Sequence, residues 1–164
     1  MQAHITARDR AILLDLYHYR YLSFSQLARL HFPSRDAAYL RLRTLKREEW
    51  VKTFTAPAIA ERIFHLDTAG AKLVAAELDS EIEDLSWYRY SKTPKDYYYL
   101  RHFLAINDFR ILLTQACAET PITLLGFIPE YIGEKTKQGH VKKYLRDSVK
   151  SVLCTLKYSD RCYN

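Results

Sequence analysis

Along the first half of the chain, apolar residues fall into three short bursts at helical spacing, then two strand-like runs, then helical spacing again. Ile12, Leu13, Leu16 and Tyr19 form one stripe of a helix that starts at the N-cap Thr6, has Asp9 three residues on, and runs to about Arg20. Ser23 and Gln26 form a second capping box, opening a helix in which Phe24, Leu27, Ala28 and His31 share a face. Phe32-Pro33 ends that helix, because the residue before a proline avoids helical geometry. Ser34 caps a third helix whose inward stripe is Ala38, Leu42 and Leu45.

Two strands are predicted next, Trp50–Thr55 and Glu61–Leu66, with Ala56-Pro57-Ala58 as the turn between them. Asp67-Thr68 caps a further helix through about Leu78, with Leu73, Val74 and Ala76 available for packing. An acidic stretch from Asp79 to Asp84 and an aromatic, polar segment from Trp87 to Pro94 read as a connector. A long helix is expected from about Asp96 to Glu119, with Tyr99, Phe103, Ile106, Phe109 or Arg110, and Leu113 as its stripe. Ile122–Ile128 reads as a buried strand closed by Pro129, and the lysine-rich remainder offers a candidate helix at Val141–Val152. Ser151–Asn164 complete no recognisable element, which points to a shortened C-terminal region.

This order predicts a helix-rich α+β chain. Residues 1–78 form a winged helix-turn-helix, residues 79–95 a connector, and residues 96–164 a small, incomplete α/β segment able to dimerise.

Charge sharpens the picture. Residues 1–72 carry 12 Lys/Arg against 7 Asp/Glu, residues 73–90 are acidic, and residues 91–164 again carry 12 against 7. Two basic blocks around an acidic hinge suit a protein that meets polyanions. The third helix concentrates the effect. On a helical wheel Arg43 and Arg47 lie opposite its apolar stripe, Arg35, Tyr39 and Lys46 flank one edge, and Arg41 flanks the other. Arg35 and Tyr39, near the helix N-terminus, are the candidates for base-edge contact in duplex DNA. Arg41, Arg43, Lys46 and Arg47 are candidates for phosphates, and Lys52 and Arg62 extend the set onto the hairpin.

The residues just described resemble a known family. Thr-x-Arg-Asp-x-x-Ile-Leu at 6–13, Arg-Tyr-Leu-Ser-x-x-Gln-Leu-x-x-Leu-His-Phe at 20–32 and Arg-Leu-x-x-Leu at 41–45 are similar to replication-relaxation proteins of bacterial plasmids and integrative elements. His65-Leu66-Asp67-Thr68-x-Gly70 and His102-x-Leu104-x-Ile106-Asn107-Asp108 fit the same pattern, so the resemblance covers about residues 5–130. It implies a DNA-binding accessory protein for replication, relaxation or transfer of a mobile element. The chain departs from the pattern at its wing tip, Ala56–Ala60, which has no basic residue, and at Trp50, where related sequences commonly carry glycine.

Other chemistry has little support. Cys117, Cys154 and Cys162 make no CxxC pair and the histidines make no HxxxH pattern, so no metal or cofactor is expected. Tyr97-Tyr98-Tyr99 lacks the histidine cluster that a nicking tyrosine needs, and Glu130, Glu134, Asp147 and Lys150 match no compact nuclease motif. His102 and Cys117 read as packing residues. No apolar run is long enough to span a bilayer, so a cytoplasmic, non-enzymatic protein is expected. Its partners would be double-stranded DNA, a second copy through the 96–119 helix, and replication or mobilisation proteins. A winged-helix repressor and a protein-interaction winged helix are the alternatives, since one fold serves all three roles.

Overall fold

The computed structural model describes residues 4–57, 59–85 and 97–122, together with residues 124 and 127 and two short strands near the C-terminus. Its elements are α1 (Ala7–Tyr19), β1 (Leu22–Ser23), α2 (Phe24–His31), α3 (Arg35–Arg47), β2 (Val51–Ala56), β3 (Ile59–Leu66), α4 (Thr68–Glu77), α5 (Tyr97–Ala118), β4 (Glu134–Lys135) and β5 (Val141–Lys142). The N-terminal order is that of a winged helix: three helices, a short strand inserted after the first, then the wing hairpin.

Both predicted capping boxes form. The Thr6 hydroxyl accepts from Asp9 N–H while the Asp9 carboxylate accepts from Thr6 N–H, and Ser23 and Gln26 do the same for α2. These caps satisfy the backbone donors that a helix start leaves open, and they fix where each helix begins. The stripes Ile12/Leu13/Leu16/Tyr19 and Ala38/Leu42/Leu45 are buried, as the spacing predicts.

The three-stranded antiparallel sheet has the order β1-β3-β2. Leu22 pairs with Phe64, and Val51 with Leu66, so β3 is central. The pairing shifts between Phe54 and Ala56, a bulge that bends the wing near its tip. Both strands run nearer the turn than the sequence predicts, meeting at the pair Ala56–Ile59.

Helix α3 ends in a Schellman motif. Glu49 adopts a left-handed conformation (φ 57°), its N–H donates to the Lys46 carbonyl, and the Trp50 N–H donates to the Leu45 carbonyl. Helix α4 then closes on the hairpin base. A Cβ at Gly70 would lie 2.0 Å from the Trp50 carbonyl oxygen, so only glycine fits there. On α4 the buried residues are Gly70, Ala71, Val74 and Ala75; Ala76, predicted to pack, is exposed.

The first compact unit runs to Asn107 and so includes the first half of α5. Leu100 and Leu104 join Ala56 and Ile63 in one cluster, against which Tyr21, Phe54 and Ile59 pack. Two buried amides fix the first half of α5 in place: Gln26 Nε2 donates to the Leu104 carbonyl (2.9 Å), and Asn107 Nδ2 donates to the carbonyls of Tyr19 and Tyr21 (3.1 and 2.8 Å). The predicted α5 stripe holds at Phe103, while Ile106, Arg110 and Leu113 are only half-buried. Leu100, Phe103, Leu104, Asn107 and Ile111 are buried, whereas Phe109 is exposed. Tyr21 makes edge-on ring contacts with Phe54, His65 and Phe103. Burial pushes the His65 imidazole down to about 4, despite help for its charged form from the Leu66 carbonyl and Asp67.

The second unit spans Asp108–Asn164. In it β4 and β5 pair antiparallel, Glu134 with Lys142 and Lys135 with Val141. Val141-Lys142 is therefore strand where the sequence suggested the start of a helix. The rest of the expected 141–152 helix, most of the expected 122–128 strand and most of the 79–95 connector lie outside the described residues.

Candidate nucleic-acid interface

Helix α3 presents its functional side chains because three leucine or alanine positions anchor its other side. With Ala38, Leu42 and Leu45 buried, the 100° step per residue turns Asp36, Leu40, Arg43 and Arg47 outward, and all four are exposed. Ser34 starts the helix, its hydroxyl accepting from the Ala37 N–H at 3.3 Å. The turn before it is only Phe32-Pro33-Ser34, so α2 fixes the direction in which α3 sets out.

The predicted cations fall into two groups. Arg35 sits with its guanidinium 5.0 Å from the centre of the Phe24 ring, held at the α2–α3 junction by a cation–π contact. Arg43 lies 6.0 Å from the ring centre of Tyr39, itself 53% exposed, so the two form one aromatic–cationic ledge. Lys46 and Arg62 are also exposed, and among the described residues no carboxylate forms an ion pair with Arg43, Lys46 or Arg62.

The remaining predicted cations have carboxylate partners. Arg47 pairs with its neighbour Glu48 at 3.0 Å but stays largely exposed. Lys52 Nζ lies 3.0 Å from Asp67 Oδ1, at the base of the wing rather than its tip. Arg41 is turned away from the outward face altogether. Its Nε donates to Asp9 Oδ1 at 2.7 Å, its Nη2 donates to Asp9 Oδ2, and the same nitrogen donates to the His4 carbonyl at 3.0 Å. Burial alone would raise the Asp9 carboxyl, but hydrogen bonds from Arg41 and Thr6 hold it below its ordinary value. Arg41 is thus a clip between α3 and the start of α1.

Two contributors are not evident from local sequence patterns. Glu61, on β3, accepts the Ser25 N–H at 2.9 Å and so adds a second cap to α2 from across the fold. Burial would raise its carboxyl, yet the hydrogen bonds of Ser25 and Ser23 and the charge of Arg35 hold it low. Leu40 is the other, an exposed apolar residue in the middle of the charged face. Its signal is in the wheel, where it falls opposite the stripe.

The three-helix core, the short β1 and the α3-to-wing order define a winged helix-turn-helix protein, the class that places a recognition helix in a DNA groove. A family model described as replication-relaxation matches residues 13–141, and the chain belongs to that family. No curated protein matches the chain. Among solved structures, a cysteine-to-serine mutant of MarR from E. coli complexed with operator DNA is 20% identical with a TM-score of 0.41, covering 49% of this chain and 55% of its own. The S. aureus MepR–DNA complex is 19% identical with a TM-score of 0.43, covering 70% of this chain and 80% of its own. This chain therefore spans about half of the MarR chain it matches. Among the described residues no helix is long and apolar enough to cross a membrane, and no cluster of metal-ligating side chains is present.

Proposed function

We propose that this protein binds double-stranded DNA through the outward face of α3, as an accessory factor in replication, relaxation or transfer of a plasmid or other mobile element. One observation carries the reading. The exposed face of the helix that follows the helix–turn unit gathers Tyr39, Arg43, Lys46 and Arg47, while its core stripe is fully buried. In this reading Arg35 and Tyr39 lie at base edges, and Arg43, Lys46 and Arg47 hold phosphates. Arg62 adds a contact from the wing and Lys52 a weaker one, because Asp67 already partners it. Arg41, committed to Asp9, stays in the scaffold.

Half-site recognition by a winged helix asks for two copies, and we assign the second copy to α5, where Phe109 and Leu112 are 53% and 54% exposed. The protein acts without a cofactor and without catalysis in this reading.

The test is fluorescence anisotropy with duplexes from the element's own origin and promoter, at several salt concentrations. Wild-type protein should bind one of them tightly, with affinity falling as salt rises. Arg43→Ala/Arg47→Ala should bind more weakly and lower the slope of log K against log salt by roughly 2, about one unit for each phosphate left without its arginine. An unchanged slope would remove α3 from the interface. A preference for the promoter fragment would favour a repressor over a replication factor.

A further inference from the structure

We propose that Leu40 is a specificity-determining contact that recognises thymine through its C5-methyl group, an inference that rests on the DNA-binding reading of α3. The outward line of α3 is not uniformly basic. It runs Asp36, Leu40, Arg43, Arg47, each a turn or so beyond the last, and its two halves differ in chemistry. The C-terminal half is cationic and suits phosphate. The N-terminal half carries a carboxylate, which phosphate repels, and a leucine, which offers phosphate nothing.

Seated against DNA, a helix with that division has its Asp36–Leu40 half over base edges and its Arg43–Arg47 half toward the backbone. Recognition helices enter the major groove with their N-terminal residues at the bases, which gives the same orientation. In that groove only thymine displays an apolar group, its methyl, and an aliphatic side chain is its natural complement.

The surroundings of Leu40 fit this role. Its side chain is 57% exposed, more than any other large apolar residue among those described. On the helix Tyr39 precedes it and Arg43 follows one turn on, the two paired by a cation–π contact of 6.0 Å. The neighbouring Thr44 hydroxyl donates to the Leu40 backbone carbonyl at 3.2 Å, so that donor is directed into the helix and leaves the spot apolar. Asp36, one turn earlier, matches the N4 amino donor of cytosine, so the half as a whole favours particular bases over backbone.

The experiment removes the methyl from either side. A duplex is recovered from a random pool by repeated selection on the purified full chain. It is then synthesised both with thymine and with deoxyuridine at every thymine position. Wild-type protein should bind about fourfold more weakly for each contacted methyl that is removed. Leu40→Ala should bind the thymine duplex less tightly than wild type, and should bind the thymine and uracil duplexes alike. Circular dichroism and thermal melting of the variant should match wild type, because the side chain is exposed.

Equal wild-type affinity for the two duplexes overturns the assignment. So does a Leu40→Ala variant that keeps the wild-type preference for thymine, since the methyl is then read by another group or through DNA shape. Failure of the wild type to bind any duplex is a different result, which removes the DNA-binding reading itself.

Discussion

Asp9 shows how much one side chain carries in this fold. It closes the capping box of α1 and, fully buried, accepts both arms of the Arg41 guanidinium. The first role is visible in sequence, because Thr6 and Asp9 are three residues apart. The second is not, because Arg41 lies 32 residues away and its wheel position flanks the charged face just as Arg35 does. Asp9→Asn should cost about 2–3 kcal/mol at neutral pH in denaturant unfolding, since it leaves a partly buried guanidinium without its charge partner. The pH dependence follows from the direction of two shifts. His65 is held neutral in the fold, so its contribution is complete above about pH 6.5 and drains away as pH falls toward 4. Asp9 is held ionised, so its contribution persists through that window and is lost only as pH falls below about 4. Urea midpoints measured from pH 7 to pH 3 should therefore decline in two stages for wild type, with the second stage smaller in Asp9→Asn, where Glu61 is left as the carboxylate held low. A variant as stable as wild type at neutral pH would remove the clip.

Elements were legible where a local signal defines both ends. Helices α1, α2 and α3 each start at a predicted cap, and the wing strands follow from their β-branched and aromatic runs. The long helix is legible but its buried face only in part, at Phe103, because Tyr97–Leu113 is apolar on several sides and two polar residues, Gln26 and Asn107, help set the rotation of its first half. The turn after α3 places its left-handed residue at Glu49 (φ 57°), a position that no local sequence signal marks. Two substitutions of opposite sign follow. Glu49→Gly should raise stability by about 0.5–1 kcal/mol, because glycine adopts that conformation without a Cβ penalty. Gly70→Ala should lower it by about 1–3 kcal/mol or more, because the added methyl meets the rigid backbone of Trp50. Thermal melts of the two variants beside wild type decide both, and a neutral Gly70→Ala would mean that α4 packs more loosely than described.

For the molecule as a whole, the candidate interface was more legible than the assembly. Arg35, Tyr39, Arg43, Lys46 and Arg47 all lie on exposed surface of α3 as predicted, yet which of the basic residues are already paired depends on Asp9 and Glu48. The proposed second copy is tested by sedimentation velocity: wild type should form dimers at tens of micromolar, on the order of a modest interface, and Leu112→Asp should be monomeric. A monomeric wild type would sink that proposal while leaving DNA binding untouched. The attachment of α5 has a further consequence, for the order of events during synthesis. Gln26 waits for a carbonyl 78 residues downstream, and the Tyr19 and Tyr21 carbonyls wait for an amide 88 and 86 residues downstream. A nascent chain exposes its N-terminal segments first, and contacts so distant in sequence close late. The underside of the wing thus stays open to water, and to chaperones, until Asn107 has left the ribosome. The helix proposed to face DNA is made early; the helix that completes the support of the wing is made later.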